Sequence, residues 1–280
     1  VEELLAMKAD HEASERMHAD LRDVIRAYLG ARYDAEESIQ FQQVDLRGPS
    51  VESLFVDVPL GIRDDRSQAA DLVKGIAQRA PGDTSSLAAE TGMVIAGAAQ
   101  VILDPGWKSS AVLVGSPGQG KSTLLQYVCQ HYRALHLGRE IGPRTRKGVA
   151  GPSRVPFRVD LRHYARWAAP VTGKGRRPDR SDPTTWGSLE EFVVRDVRAQ
   201  VAGRRFRGRD FGWLIQNERV LIALDGLDEV ANTEHRAQVT KQISSTRARL
   251  MPSARDLVML VTTRPGAHLE DLTSRGHFAM

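Results

Sequence analysis

Apolar and polar positions along the chain change their period repeatedly, and each change marks a change of element. Between residues 2 and 29, Met17, Leu21, Val24, Ile25 and Tyr28 recur at helical steps, which predicts an amphipathic helix with Gly30 as its stop. "SLFVDVPLGIR" at 53–63 alternates instead: Val56, Val58, Leu60 and Ile62 stand against Asp57, Pro59, Gly61 and Arg63. That is the pattern of a half-buried strand, and Pro59 assigns it to an edge. Residues 66–79 then read as a helix, "APGDTSS" at 80–86 as a loop, and 87–103 as a second, more apolar helix.

From residue 111 the strands become continuously apolar. "AVLVG" (111–115), "VPFRVDL" (155–161), "RVLIALD" (219–225) and "DLVMLVTT" (256–263) are short buried runs separated by helical segments. The first is followed by a helix carrying Leu124, Leu125, Val128, Cys129 and Tyr132 on one side. Another helix spans 188–201, opened by Ser188 with Glu191 three residues on, and a third lies near 234–250. Apolar strands alternating with helices predict an α/β fold, a parallel sheet with helices on both faces, preceded by a helical and strand N-terminal segment. Residues 138–154 and 169–185, rich in Gly, Pro and Arg, read as loops, and no internal repeat is visible.

Composition narrows the class. The chain has 280 residues, 41% hydrophobic and 26% charged, as in a globular protein of one large or two modest domains. No apolar run approaches membrane-helix length and no secretion signal opens the chain, so a cytoplasmic protein with no membrane partner is expected. The lone Cys129 excludes an internal disulfide framework and reads as a small core residue. The opening Val1 and the ending "RGHFAM" give the sequence the look of a piece of a longer protein. Basic residues give a pI near 9.4 and cluster at 139–180 and in "GRRFRGRD" at 203–210. Solvated loops explain them better than nucleic acid does, because no nucleic-acid module accompanies them.

The chemistry begins at "GSPGQGKST", residues 115–123, which matches G-x-x-x-x-G-K-[ST] through Gly115, Gly120, Lys121 and Ser122. Glycines let the loop of Gly115, Ser116, Pro117, Gly118, Gln119 and Gly120 turn so that its backbone N–H groups point inward around an anion. The helix that follows brings its positive end to the same place. Lys121 supplies an ammonium for the β- and γ-phosphates, the Ser122 hydroxyl a ligand for Mg²⁺, and Thr123 completes the loop. The motif follows an apolar strand and opens an amphipathic helix, the context it needs.

Asp225 ends a buried strand, and a desolvated carboxylate needs a cation. In a phosphate-loop fold that cation is the Mg²⁺ held by Ser122 and Asp225. Gly226 lets the chain turn, and Asp228 and Glu229 follow, where one carboxylate orients or deprotonates the attacking water. Arg264, after Thr262 and Thr263 at the end of the last strand, is placed to contact the γ-phosphate and its water.

Together "VGSPGQGKSTLLQYV", "VPFRVDLRHYA", "LIALDGLDEV" and "LVTTRPG" resemble a NACHT-type nucleoside triphosphatase of the STAND class, over roughly residues 87–275. The acidic stretch is the most specific part: a small residue, Gly226, and two further acids, Asp228 and Glu229, follow the Walker B aspartate. By resemblance Arg264 falls on the sensor 1 arginine. The resemblance implies a switch with ADP-bound closed and ATP-bound open states, homo-oligomerisation on activation, and for bacterial members a role in antiviral defence. The implied domains are a helical segment at 1–50, a strand and helix at 51–86, and a nucleotide-binding domain at 87–280 that lacks its C-terminal part. A remodelling ATPase of the AAA+ kind is the alternative, and a guanine-specific Asn-Lys-x-Asp motif is missing from the sequence.

Overall fold

The chain begins with a long helix, α1 (Glu2–Ala35), followed by two short strands, β1 (Pro59–Gly61) and β2 (Ile95–Gly97), and a helix, α2 (Ala98–Ile102). Then come β3 (Ala111–Val114), α3 (Lys121–Leu137), β4 (Val155–Asp160), α4 (Leu161–Ala168), α5 (Leu189–Gln200) and α6 (Gly208–Asn217). The remaining elements are β5 (Arg219–Asp225), a 3₁₀ turn at Leu227–Glu229, α7 (Thr233–Leu250), a second 3₁₀ turn at Met251–Ser253, and β6 (Asp256–Thr263). This computed structural model describes residues 2–37, 55–61, 71, 72, 74, 75, 95–139, 153–170, 185–201, 203–266 and 272, in α1 with side chains from Met17 onward.

The predicted α/β architecture is present as a four-stranded, all-parallel sheet ordered β3-β6-β5-β4. From β3 at one edge the chain crosses through α3 to β4 at the other, then returns through β5 to β6. Right-handed crossovers require that reversal to change faces. Accordingly Val112, Phe157, Val220, Ile222, Leu224, Met259 and Val261 pack with α1 and α4 to α7. Leu113, Leu221, Ala223, Val258 and Leu260 pack with α2, α3 and Phe55 on the opposite face. Cys129 is buried in that second face, as a core residue should be.

α1 packs at the β4 edge. The Tyr28 ring stacks on Phe157 with centroids 5.6 Å apart, and Arg32 donates to the Arg158 carbonyl at 3.2 Å. Gln130 of α3 donates to the Tyr33 carbonyl at 2.9 Å. These contacts correct the expected stop at Gly30, because the helix continues to Ala35. Burial of Tyr28, Leu29 and Tyr33 outweighs the ~1 kcal/mol that a helical glycine costs.

Two further expectations are corrected upstream of the sheet. Of the strand predicted at 53–63, the described residues are 55–61, and among them Pro59–Gly61 is the part in a ladder. Val56 is 70% exposed rather than inward, and Phe55 takes the buried place, stacked on Tyr127 at 3.8 Å. Within the helix predicted at 87–103, residues Ile95–Gly97 instead pair antiparallel with β1, Leu60 opposite Ala96. Among the described residues of that stretch the helix starts at Ala98, where the Asp57 carboxylate accepts from the amides of Ala99 (2.8 Å) and Gln100 (3.1 Å). Gly97 permits that approach, since a Cβ there would strike the Asp57 side chain. The helix predicted at 66–79 is described only at residues 71, 72, 74 and 75, which are helical. The loop at 80–86 lies outside the described residues, as do most of the loops at 138–154 and 169–185 and most of the basic cluster at 139–180.

α4 and α6 have no counterpart among the sequence-based expectations. α4 is nucleated by Asp160, whose side chain accepts from the amides of Arg162 and His163. α6 starts inside the basic stretch "GRRFRGRD", with Phe206 buried and Arg204, Arg205, Arg207 and Arg209 exposed.

Candidate functional site

Every residue singled out for chemistry lies at the carboxyl ends of β3, β5 and β6, where open parallel sheets bind their ligands. The loop after β3 is an exposed turn in which Gly118 and Gly120 adopt left-handed backbone, φ 78° and 75°. Only glycine takes those angles freely, so the chain can wind tightly into the first turn of α3. The Gln119 side chain accepts from the Ser116 amide at 2.6 Å, bracing the turn from within. Lys121 donates its ammonium to the carbonyls of Gly115 (2.6 Å) and Ser116 (2.9 Å), arching over the loop. Pro117 sits at the exposed apex and Thr123 on the first turn of α3.

Asp225 and Ser122 meet across the sheet, although β6 separates β3 from β5. Ser122 Oγ donates to Asp225 Oδ1 at 2.9 Å. Thr262 Oγ1, from the intervening strand, donates to the same oxygen at 2.7 Å and accepts from the Gly226 amide at 2.8 Å. Gly226 is left-handed, φ 79°, which turns the chain into the 3₁₀ segment carrying Asp228 and Glu229.

The second oxygen of Asp225 has a cation partner that the sequence-based expectation of a metal left out: Arg158 of β4 donates to Oδ2 at 2.7 Å. The signal was an arginine inside the apolar run "VPFRVDL", which cannot be buried without a counter-ion. Arg158 is also 3.4 Å from Glu36 Oε2, just past α1. Glu36 in turn takes Arg133 at 2.9 Å and Arg32 at 2.9 Å. Burial would raise the Glu36 pKa, but the guanidinium groups of Arg133, Arg32 and Arg158 overcome it and hold the carboxyl at about 2. Burial likewise opposes the Arg158 charge, yet Glu36 and Asp225 raise its pKa above the ordinary arginine value.

The remaining acids are also held by arginines. Arg264 contacts Asp228 Oδ2 at 2.7 Å, with the Asp228 side chain 12% exposed. Arg162, which no sequence motif singled out, contacts Glu229 Oε2 at 3.0 Å while bonded to Asp160 at 2.9 Å. Asp228, Glu229 and Arg264 therefore gather beside Asp225, each with a defined partner.

A cleft of about 360 Å³ opens against the loop, walled by Val58, Leu60, Ala98, Leu113 and Leu124 on its apolar side and by Gly118 to Lys121 on its polar side. A flat, largely apolar group with an anionic tail matches that division. Among the described residues no group of three His, Cys, Asp or Glu stands ready to hold a metal. Ser122 Oγ and Asp225 Oδ1 are nonetheless adjacent hard oxygens. Such a pair would suit a hard divalent cation such as Mg²⁺. Among the described residues no helix is long and apolar enough to cross a membrane. No family model, curated protein or solved structure matches this chain.

Proposed function

We propose that this chain is the nucleotide-binding domain of a NACHT-type, STAND-class switch, binding ATP and ADP with Mg²⁺ and hydrolysing ATP slowly. The observation that carries the reading is the 2.9 Å contact from Ser122 of the glycine-rich turn to Asp225 at the end of a buried strand. It joins the anion-binding loop to the acidic strand end, where a metal–phosphate group would bridge them. Bound there, Mg²⁺ would neutralise phosphate charge and polarise the γ-phosphoryl group.

The protein groups divide the work. Loop amides and the α3 N-terminus hold the phosphate tail, and Lys121 turns its ammonium from Gly115 and Ser116 to the β- and γ-oxygens. Ser122 and Asp225 supply metal ligands. Glu229 orients the water and takes its proton, with Asp228 beside it, and Arg264 stabilises charge on the γ-phosphoryl group. Slow turnover fits these pairings, since Glu229 has to part from Arg162 and Arg264 from Asp228 before either acts. The cleft by Val58 and Leu60 would take the base. Homo-oligomerisation on activation and a role in defence rest on the resemblance.

Titration calorimetry with Mg-ATP and Mg-ADP, together with phosphate release, tests the reading. Lys121→Ala is expected to weaken binding at least about a hundredfold, a charge-assisted contact having been removed. An affinity unchanged in that variant refutes the site.

A further inference from the structure

Arg158 lies between two carboxylates, one in the candidate metal site and one at the end of the N-terminal helix. Its Nη2 is 2.7 Å from Asp225 Oδ2 and its Nη1 is 3.4 Å from Glu36 Oε2. The Arg158, Asp225 and Glu36 side chains are 22%, 10% and 12% exposed, so none of these charges is free to dissolve into water. Glu36 is tied to its surroundings: Arg133 and Arg32 hold its carboxylate, and Gln126 donates to its carbonyl at 2.7 Å. Arg32 also donates to the Arg158 carbonyl at 3.2 Å.

We propose that Arg158 is a positioning residue that shifts from Asp225 toward Glu36 when the Asp225 carboxylate turns to a divalent cation, coupling metal–nucleotide binding to the docking of α1. The inference rests on the metal–nucleotide reading above. The direction follows from charge. Like charges in a poorly solvated site repel strongly, so a cation at Asp225 drives the guanidinium away, and Glu36 is the carboxylate within its reach. The contact at 3.4 Å then shortens and draws the end of α1 onto β4. Coupling of this kind is reciprocal, so loosening α1 weakens metal-dependent binding by the same factor.

The test uses the intact chain, titrated with ADP in excess Mg²⁺ and in EDTA, with hydrogen exchange of the amides of residues 28–36 followed in both. In the wild type, Mg-ADP is expected to increase protection of these amides more than ADP alone. Glu36→Gln removes the alternative acceptor and is expected to cut the Mg-dependent gain in affinity about tenfold, leaving metal-free ADP affinity within about twofold. Glu36→Asp is expected to restore most of the gain. Arg158→Gln removes the competitor for Asp225, so the gain survives while the exchange response of 28–36 disappears. Should Glu36→Gln fold poorly, Arg158→Gln decides the matter through exchange. A Glu36→Gln gain equal to wild type, or protection of 28–36 that ignores Mg-ADP, overturns the coupling while leaving the nucleotide site standing. ADP binding that survives Lys121→Ala overturns the site, and with it the coupling.

Discussion

Ser122 and Asp225 are 103 positions apart in sequence and 2.9 Å apart in space, on elements separated by an intervening strand. Thr262, from that strand, donates to the same carboxylate oxygen. A hydroxyl, a carboxylate and a threonine from three elements thus share one point at the top of the sheet.

Removing the Ser122 hydroxyl tests that point directly. Asp225 retains Thr262 and Arg158, so Ser122→Ala is expected to lower stability by no more than about 1 kcal/mol. Its effect falls on the metal: the Mg²⁺-dependent part of nucleotide affinity drops about tenfold or more, and metal-free affinity stays. Calorimetry with and without EDTA measures both. Equal losses in the two conditions would mean that Ser122 holds phosphate rather than metal.

Glu229→Gln separates binding from chemistry. With the proton acceptor gone and the shape kept, single-turnover ATP hydrolysis is expected to fall about 10²- to 10⁴-fold at unchanged ATP affinity. Asp228 takes over the assignment if the rate survives, and Asp228→Asn then shows the fall.

Gly226 is a backbone test. Its φ of 79° is unfavourable for a side-chain-bearing residue, and a Cβ would sit 3.2 Å from Glu229 Cδ. Gly226→Ala is expected to cost roughly 1–2 kcal/mol in denaturant unfolding, and to reduce hydrolysis further by displacing Glu229. A stable variant with full turnover contradicts this geometry.

Acid should act in two successive windows. Burial lowers the His131 pKa from 6.5 to about 4, so the folded protein binds that proton less readily than the unfolded chain. The associated stability is complete above pH 6.5 and drains as pH falls toward 4. Glu36, lowered from 4.5 to about 2 against the pull of burial, contributes stability that is complete above pH 4.5 and lost toward pH 2. Each is worth on the order of 3 kcal/mol. Urea midpoints measured from pH 7 to pH 2 should fall through both windows, and His131→Phe should shrink the upper one alone, the rest of it belonging to His136, whose pKa burial also lowers. An upper window unchanged in that variant assigns the loss to other groups.

The sheet was legible because its strands are short apolar runs bounded by turn residues, and the loop because its glycines and Lys121 have few other uses in that order. What escaped was set by contacts between distant segments. Gly30 reads as a helix stop until Arg32, Tyr33 and Glu36 acquire partners on α3 and β4. Ile95–Gly97 belongs to an apolar stretch with helical spacing, and only the approach of β1 makes it a strand. Arg158 was visible as an anomaly, a charge inside a buried run, but its two carboxylates come from residues 36 and 225, which no local pattern connects. Arg162 likewise gains meaning only when the end of β4 meets the turn after β5.

The seating of α1 against β4 bears on how the molecule can be cut. An edge strand without a neighbour offers its amides and carbonyls to any other extended chain. A version trimmed to begin at residue 51 would discard α1 and Glu36, uncover that flank of β4, and leave Arg133 with its carboxylate partner gone. Such a piece would keep every motif residue and still be prone to self-association through its exposed strand.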